Sequence, residues 1–367
     1  MISGADPHRA KIRLLPPGND PATMFRLSKA RLLAHCLIAV LLAGCSESTP
    51  LPADRIQGET MGTTYSVLVH PLAKSRLESL RSLVEVELER INASMSTYRD
   101  DSEISRFNQS TSTDWQPASP ELVEVVQQSL EVSRLSAGAF DITVGPLVNL
   151  WGFGPDGQPA TIPGQQQIDK LLEQVGYQHL HYRLDPPALR KEIPLLQIDL
   201  SAIAKGYGVD QVCQLLVDQG LRDFLVEIGG ELRAMGKRPG GIRWKAGIES
   251  PVAGRRTVSQ ALELVDMALA TSGDYRNFFV LNEKQYSHTI DPRTGWPVQY
   301  PVTSVSVLST SCTMADAWAT ALMASSPQVA YDKASELEIA AYWMIRGAEQ
   351  LTKKKSPAFD KIFPAGN

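Results

Sequence analysis

Between Phe224 and Ser309 the chain strings one β-run after another with no helix-length apolar period among them. Phe224–Met235, Trp244–Glu249, Ala261–Leu264, Phe278–Leu281, Tyr286–Ile290 and Thr303–Ser309 are the expected strands of this stretch. Helical spacing lies before and after it. Ser75–Met95 carries Leu77, Leu80, Val84, Leu88 and Ile91 at helical intervals. Ser119-Pro120-Glu121 opens a second helix, with Ser as N-cap and Pro at N1, and Gly138 lies just past its end. Gln165–Val175, Ala202–Gln219 (closed by Gly220), Ala315–Ala324 and Gln328–Glu336 are the other expected helices. Gly58–Val69, Leu195–Leu200 and Ala340–Arg346 complete the expected strands. Helices and strands that mix without strict alternation imply an α+β fold. We expect a single compact domain of mixed, largely antiparallel sheets with packed helices. No linker, low-complexity tract or repeat interrupts residues 55–350, which are read as one domain, with 351–367 as a C-terminal tail.

The N-terminus has a different character. Leu32–Ala43 is almost entirely apolar and follows Arg26, Lys29 and Arg31, the layout of a secretory signal. A run of that length is short of the ~20 residues that span a bilayer. It ends in Leu42-Ala43-Gly44-Cys45, which resembles the lipobox of bacterial lipoproteins. That likeness implies a signal over 1–44, lipid on Cys45 as the first mature residue, and a polar tether over 45–54. Met24 would give a signal of conventional length and is an alternative start. The expected location is therefore a membrane, lipid-anchored on the periplasmic side. The chain has 36 Lys and Arg against 40 Asp and Glu; without residues 1–44 it keeps 30 and 38, a net of −8. An acidic body leaves no electrostatic footprint for nucleic acid. Of four cysteines, Cys36 and Cys45 belong to the export segment. Cys213 and Cys312 sit among apolar residues and are expected as buried free thiols.

Some motifs mislead. Gly152-Phe-Gly154-Pro-Asp-Gly157 spells a dinucleotide fingerprint, but Pro155 and Pro159 block the helix it would open, so it reads as a loop. Gly230 to Lys237 nearly spells a phosphate loop, with the wrong glycine spacing. His179 and His181 fall on one strand face without an evident third ligand and read as an exposed pair. Four segments carry more chemistry. Asp316 and Thr320 stand one helical turn apart, a carboxylate and a hydroxyl suited to a hard cation such as Mg²⁺, although a capping Asp would look the same. In Asp199 to Gly208 a strand ends in a carboxylate and turns into a helix whose Lys205 could meet a phosphate. Gly206 and Gly208, each costing about 1 kcal/mol against Ala in a helix, imply close approach by a ligand or another backbone. His288-Thr-Ile-Asp291-Pro-Arg293-Thr-Gly295 runs a strand into a polar turn. Asp141 lies between apolar neighbours and needs a partner or a ligand.

Taken in order, Met61-Gly-Thr-Thr-Tyr65, Ser96-Thr-Tyr98, Ala139 to Pro146, Asp199 to Asp210, Gly229-Gly-Glu231, Thr271 to Tyr275, His288 to Pro297 and Cys312 to Leu322 resemble the ApbE family, the FAD:protein FMN transferases. The resemblance spans roughly residues 55–350. It implies an enzyme that cleaves FAD with Mg²⁺, joins FMN through a phosphoester to a Thr or Ser of an acceptor protein, and releases AMP. It implies that Met61, Tyr98, Ala139, Phe140, Asp141, Asp199, Lys205 and Ile290 hold FAD. It further implies that the Ala202 carbonyl, Asp316 and Thr320 hold Mg²⁺, and that His288 is the base. Acceptors in the family are subunits of Nqr- and Rnf-type membrane redox complexes, which favours the inner membrane without excluding the outer. Two alternatives remain at this level. Some relatives hydrolyse FAD to FMN and AMP and carry Asn where this chain has Tyr98. A non-catalytic flavin-binding lipoprotein would need neither Asp316 and Thr320 nor His288.

Overall fold

The computed structural model describes residues 53–364 apart from 155–156, 158–160, 252–256, 276, 282–283 and 348–349. The signal, the Met24 alternative, Cys45 and nearly all of the tether lie outside the described residues. The chain opens with a hairpin, β1 (Asp54–Thr60) and β2 (Thr63–Val69). Gly58–Val69, expected as one strand, is therefore folded back at Met61-Gly62, both in the left-handed region (φ 49° and 69°). Next come α1 (Lys74–Met95), α2 (Glu103–Gln109), β3 (Gln116–Pro117) and α3 (Pro120–Leu135). Helix α1 buries Leu80, Val84, Leu88, Ile91 and Met95, the stripe its spacing predicts. Ser119 caps α3 by accepting the Leu122 N–H at 3.2 Å.

A 3-10 turn (Ile142–Val144), α4 (Gly145–Leu150), α5 (Gln165–Leu172), β4 (Leu180–Leu184), β5 (Pro187–Lys191) and α6 (Ala204–Asp218) follow. Leu195–Leu200 is not a strand. Its alternating burial is real, but its backbone is met by side chains: Asn108 donates to the Ile198 carbonyl (2.9 Å) and accepts its N–H (2.7 Å). The buried Lys191 ammonium donates to the Leu196 carbonyl. A side chain thus takes the place of a neighbouring strand.

The second half holds β6 (Phe224–Ile228), β7 (Glu231–Met235), β8 (Trp244–Glu249), β9 (Val258–Leu264), β10 (Met267–Gly273), β11 (Phe278–Leu281), β12 (Lys284–Ser287) and β13 (Val302–Ser309). The expected run Phe224–Met235 breaks into β6 and β7 at Gly229-Gly230, and the run to Ile290 stops at Ser287. Last are α7 (Cys312–Met323), α8 (Pro327–Glu336), β14 (Ala340–Arg346), β15 (Leu351–Lys355) and α9 (Pro357–Ile362). The stretch read as a tail beyond 350 is corrected here: β15 pairs along β14, and Phe359 of α9 is wholly buried.

One eight-stranded antiparallel sheet, ordered β1-β2-β6-β7-β10-β13-β14-β15, organises the domain. Alternation sends Val226, Ile228, Ala270, Val305, Val307 and Trp343 toward the helices and Leu225, Ala234, Leu269, Leu308, Tyr342 and Met344 to the other face. The β8–β9 hairpin and α9 cover that second face. Helix α7 lies on β10 and β13, and ten of its twelve residues are buried. Such a helix is a core element, so any polar group on it is held in low dielectric. A separate cluster, with Leu147, Trp151, Ile168, Phe279, Tyr286 and Ile290, joins α4 and α5 to the β11–β12 hairpin. Cys213 and Cys312 are buried and free, as expected.

Candidate active site

The site begins where α6 meets α7 at backbone contact. A Cβ on Gly206 would lie 2.4 Å from the Cys312 carbonyl oxygen and 2.8 Å from Asp316 Cβ. Close approach by another helix thus explains Gly206, and the Gly206 N–H donates to Asp316 Oδ2 at 3.0 Å. At Gly208 the near neighbours are Met61 Cε and Ile228 Cδ1, so the β1–β2 turn seats Met61 on α6. A cleft of about 510 Å³ opens at that turn, lined by Glu59 to Thr64 with Met61 among them. Asp210, one turn further along α6, caps α7. Its carboxylate accepts the Cys312 and Thr313 N–H groups (3.0 Å each), the Ser311 and Thr313 hydroxyls (2.8 Å each) and Arg233 (2.7 Å). Five donors on one carboxylate fix the start of the helix that carries Asp316.

Two buried carboxylates and a half-buried ammonium meet at this crossing. Lys205 Nζ lies 3.3 Å from Glu231 Oε1 and 3.8 Å from Asp316 Oδ2. Asp316 is 3% exposed and Glu231 5%. Glu231 Oε2 is buried without a hydrogen-bond partner. Burial pushes the Glu231 carboxyl up, the Lys205 charge opposes that, and Asp316 adds to it. Burial alone would lower Lys205, but Asp316 and Glu231 outweigh it and hold the ammonium protonated. Beside them the Thr320 hydroxyl pairs with Ser272 Oγ of β10 at 2.9 Å. Asp316, Thr320 and Lys205, expected from sequence, therefore come together. Glu231 and Ser272 join them unforeseen; the Gly229-Gly-Glu231 and Thr271 to Tyr275 segments were the only signals for either.

His288 follows β12, packed edge-on against Phe153 at 6.2 Å, and Phe153 leads into a row through Phe279, Tyr286 and Trp151. Its Nδ1 lies 2.9 Å from the Asn277 carbonyl oxygen. A carbonyl only accepts, so Nδ1 carries the hydrogen and Nε2 keeps the lone pair. Burial lowers the His288 pKa, the Asn277 contact opposes this, and the Lys205 charge lowers it again. The imidazole is thus neutral at pH 7 with Nε2 basic. Tyr98 is 68% exposed and donates to the Phe153 carbonyl at 3.3 Å, so it rims the same wall. Partial desolvation against that wall raises its pKa, and the Asp199 charge raises it further. Ile290 is buried in that cluster and bridges Pro297.

The rest of the expected set is anchored by contacts within the chain. Asp141 Oδ1 accepts the Thr143 N–H (2.8 Å) and hydroxyl (2.7 Å), and Oδ2 accepts the Tyr177 N–H (2.8 Å). Its partners are therefore its own turn and the loop before β4. Ala139 and Phe140 are buried, with the Phe140 ring in the main core. The Asp199 N–H donates to the Ile142 carbonyl at 2.7 Å, which ties that turn to the entry of α6, and Asp199 Oδ1 accepts the Ser201 N–H. Ala202 is half-buried in the bend before α6. Asp291 and Arg293 form a two-bond ion pair, and Arg293 also donates to the Ala324 carbonyl, so the polar turn is clamped to the end of α7. His179 and His181 both contact Glu192 at the surface.

The family model described as the ApbE family matches residues 61–343. A FAD:protein FMN transferase of Vibrio cholerae is 44% identical over 285 residues, 77% of this chain and 84% of that protein. One from Klebsiella pneumoniae is 38% identical over 344 residues, 92% of this chain and 97% of its own. The solved structure of the flavin transferase ApbE from Vibrio cholerae superposes with a TM-score of 0.78 at 40% identity, covering 85% of this chain and all of that one.

Proposed function

The chain belongs to the ApbE family, and on that premise we propose that it is an FAD:protein FMN transferase. The observation that carries the reading is the Lys205–Glu231–Asp316 group, with both carboxylates buried, at the α6–α7 crossing. We further propose that Mg²⁺ is held there by Asp316, Thr320 and the Ala202 carbonyl. The fit rests on the donor set and the charge balance. The donors are hard oxygens, two buried carboxylates face a single ammonium, and a buried Glu231 oxygen has no partner. When bound, the cation would neutralise negative charge on the FAD diphosphate.

The chain's own residues then have distinct tasks. Lys205 offsets charge on the diphosphate, and the residues around Met61, Tyr98, Ala139 to Asp141, Asp199 and Ile290 hold FAD. His288 Nε2 accepts the proton of an acceptor Thr or Ser hydroxyl. The freed oxygen bonds to the FMN phosphorus, the bond from that phosphorus to the AMP oxygen breaks, and AMP leaves with the electron pair. We take the acceptors to be subunits of Nqr- or Rnf-type redox complexes. The same reading has the chain tethered through Cys45 on the periplasmic side of the inner membrane, which the mass of the mature N-terminal peptide decides. The central test is to incubate the protein with FAD, Mg²⁺ and a candidate acceptor subunit. The acceptor should gain the mass of FMN with equimolar AMP released. FMN and AMP released without acceptor labelling would assign hydrolysis instead.

A further inference from the structure

We infer that Glu231 is the counter-anion that keeps the Lys205 ammonium off Asp316 and so leaves Asp316 open to a divalent cation. The inference rests on the reading of Asp316 as a cation ligand. Lys205 Nζ stands between two carboxylates and lies nearer Glu231 (3.3 Å) than Asp316 (3.8 Å). The oxygen it would reach on the far side is Asp316 Oδ2, which already accepts the Gly206 N–H. The lysine stem runs past the Gly229 backbone, where only glycine leaves it room: a Cβ there would lie 3.3 Å from Lys205 Cδ and 2.9 Å from Thr63 Cγ2. Gly229 and Gly230 take φ of 62° and 110°, a turn that sets Glu231 at the start of β7 facing α6. The ammonium stands within reach of two anions. Removing the Glu231 charge leaves Asp316 as its partner, and a direct Lys205–Asp316 pair would occupy the ligand. The unpartnered Glu231 Oε2 agrees with a side chain retained for its charge on Lys205 and not for packing.

The experiment is a double-mutant cycle read by binding. Mn²⁺ serves as a spectroscopically visible cation, titrated into the mature protein with FAD present and followed by electron paramagnetic resonance. Wild type, Glu231→Gln, Lys205→Met, the double variant and Asp316→Ala are compared. In the native background Glu231→Gln should weaken Mn²⁺ binding about tenfold, within the coupling range of charged neighbours. In the Lys205→Met background the same change should cost no more than about threefold, the direct loss of a nearby negative charge. Equal losses in both backgrounds, or no loss in the native one, overturn the inference. Mn²⁺ binding by Asp316→Ala equal to wild type overturns the reading of Asp316 itself, and the inference with it. Should Glu231→Gln not fold, Glu231→Met in the same two backgrounds gives the same cycle, since it also removes the charge at similar side-chain length.

Discussion

Replacing Gly206 by Ala sets two known effects against each other. Inside a helix Ala is favoured over Gly by about 1 kcal/mol, so propensity alone expects a gain. The structure opposes it. The new Cβ would stand 2.4 Å from the Cys312 carbonyl oxygen and 2.8 Å from both Cys312 C and Asp316 Cβ, where unstrained contacts lie near ~3.5 Å. The helices must part by about 1 Å, and α7 cannot easily yield, because Asp210 holds its first turn by four hydrogen bonds. Overpacking against backbone costs ~1–3 kcal/mol, here near the upper end. Net destabilisation of ~1–2 kcal/mol should lower Tm by roughly 1.5–3 °C for a domain of this size. Function should suffer more. The Gly206 N–H to Asp316 bond would stretch beyond hydrogen-bonding range, and a 1 Å misplacement in a reacting site can cost about 10²-fold in rate. Scanning calorimetry and single-turnover FMN transfer across a Mg²⁺ titration measure both effects. Gly208→Ala is the internal comparison, since its Cβ meets only the mobile ends of Met61 and Ile228 and should cost little. A Gly206→Ala variant as stable and as active as wild type would refute the backbone-contact account of the site.

His288→Ala should slow transfer by ~10²–10⁴ while leaving FAD affinity nearly intact, as paired FAD titration and single-turnover kinetics would report. Because burial and Lys205 hold the His288 pKa below its usual value near 6.5, the neutral base persists through pH 6.5, and the wild-type rate should fall only under more acid conditions. Asp316→Ala should remove most Mg²⁺-dependent turnover and Thr320→Ala less, since Asp supplies a formal charge and Thr a neutral oxygen already shared with Ser272. Unchanged Mg²⁺ dependence in Asp316→Ala would return both residues to structure.

Local signals reached the helices well. Ser119-Pro120 marks the start of α3, and the spacing of Leu80 to Ile91 marks the buried face of α1. What escaped depends on partners far along the chain. Leu195–Leu200 has the alternation of a strand, but its neighbour is the Asn108 side chain, some 90 residues earlier. Leu351–Lys355 is too polar to announce itself, and it pairs only because β14 offers an edge; its lysines then suit the end of a sheet. The site divides the same way. Asp316 and Thr320 declare themselves by helical spacing, and Lys205 by its place at a strand-to-helix turn. Asp210 and Glu231 look like ordinary surface acids, because Cys312, Arg233 and Lys205 are brought to them only by the sheet. Asp141 was legible as a buried carboxylate in need of partners, and its partners proved to be Thr143 and Tyr177.

The charge of the site leads to one more expectation. Beyond residue 44 the chain is acidic, and at the crossing of α6 and α7 two carboxylates face one ammonium, a local balance of −1 when both are ionised. The FAD diphosphate is itself negative, so on these groups alone it meets repulsion in a poorly screened place. A divalent cation beside Asp316 would turn the local balance to +1 and the repulsion to attraction. Cation and FAD should therefore bind cooperatively, and linkage requires the two enhancements to be equal. Couplings of this kind commonly amount to about 5–150-fold. Isothermal titration of FAD with EDTA and with saturating Mg²⁺, and of Mg²⁺ with and without FAD, measures both sides of that cycle. Asp316→Ala should abolish the coupling and, because it brings the local balance to zero, raise the cation-free FAD affinity above that of wild type in EDTA. FAD binding that is equally tight in EDTA would mean that Lys205 and the surrounding dipoles suffice, and that the negative balance at this crossing does not govern substrate binding.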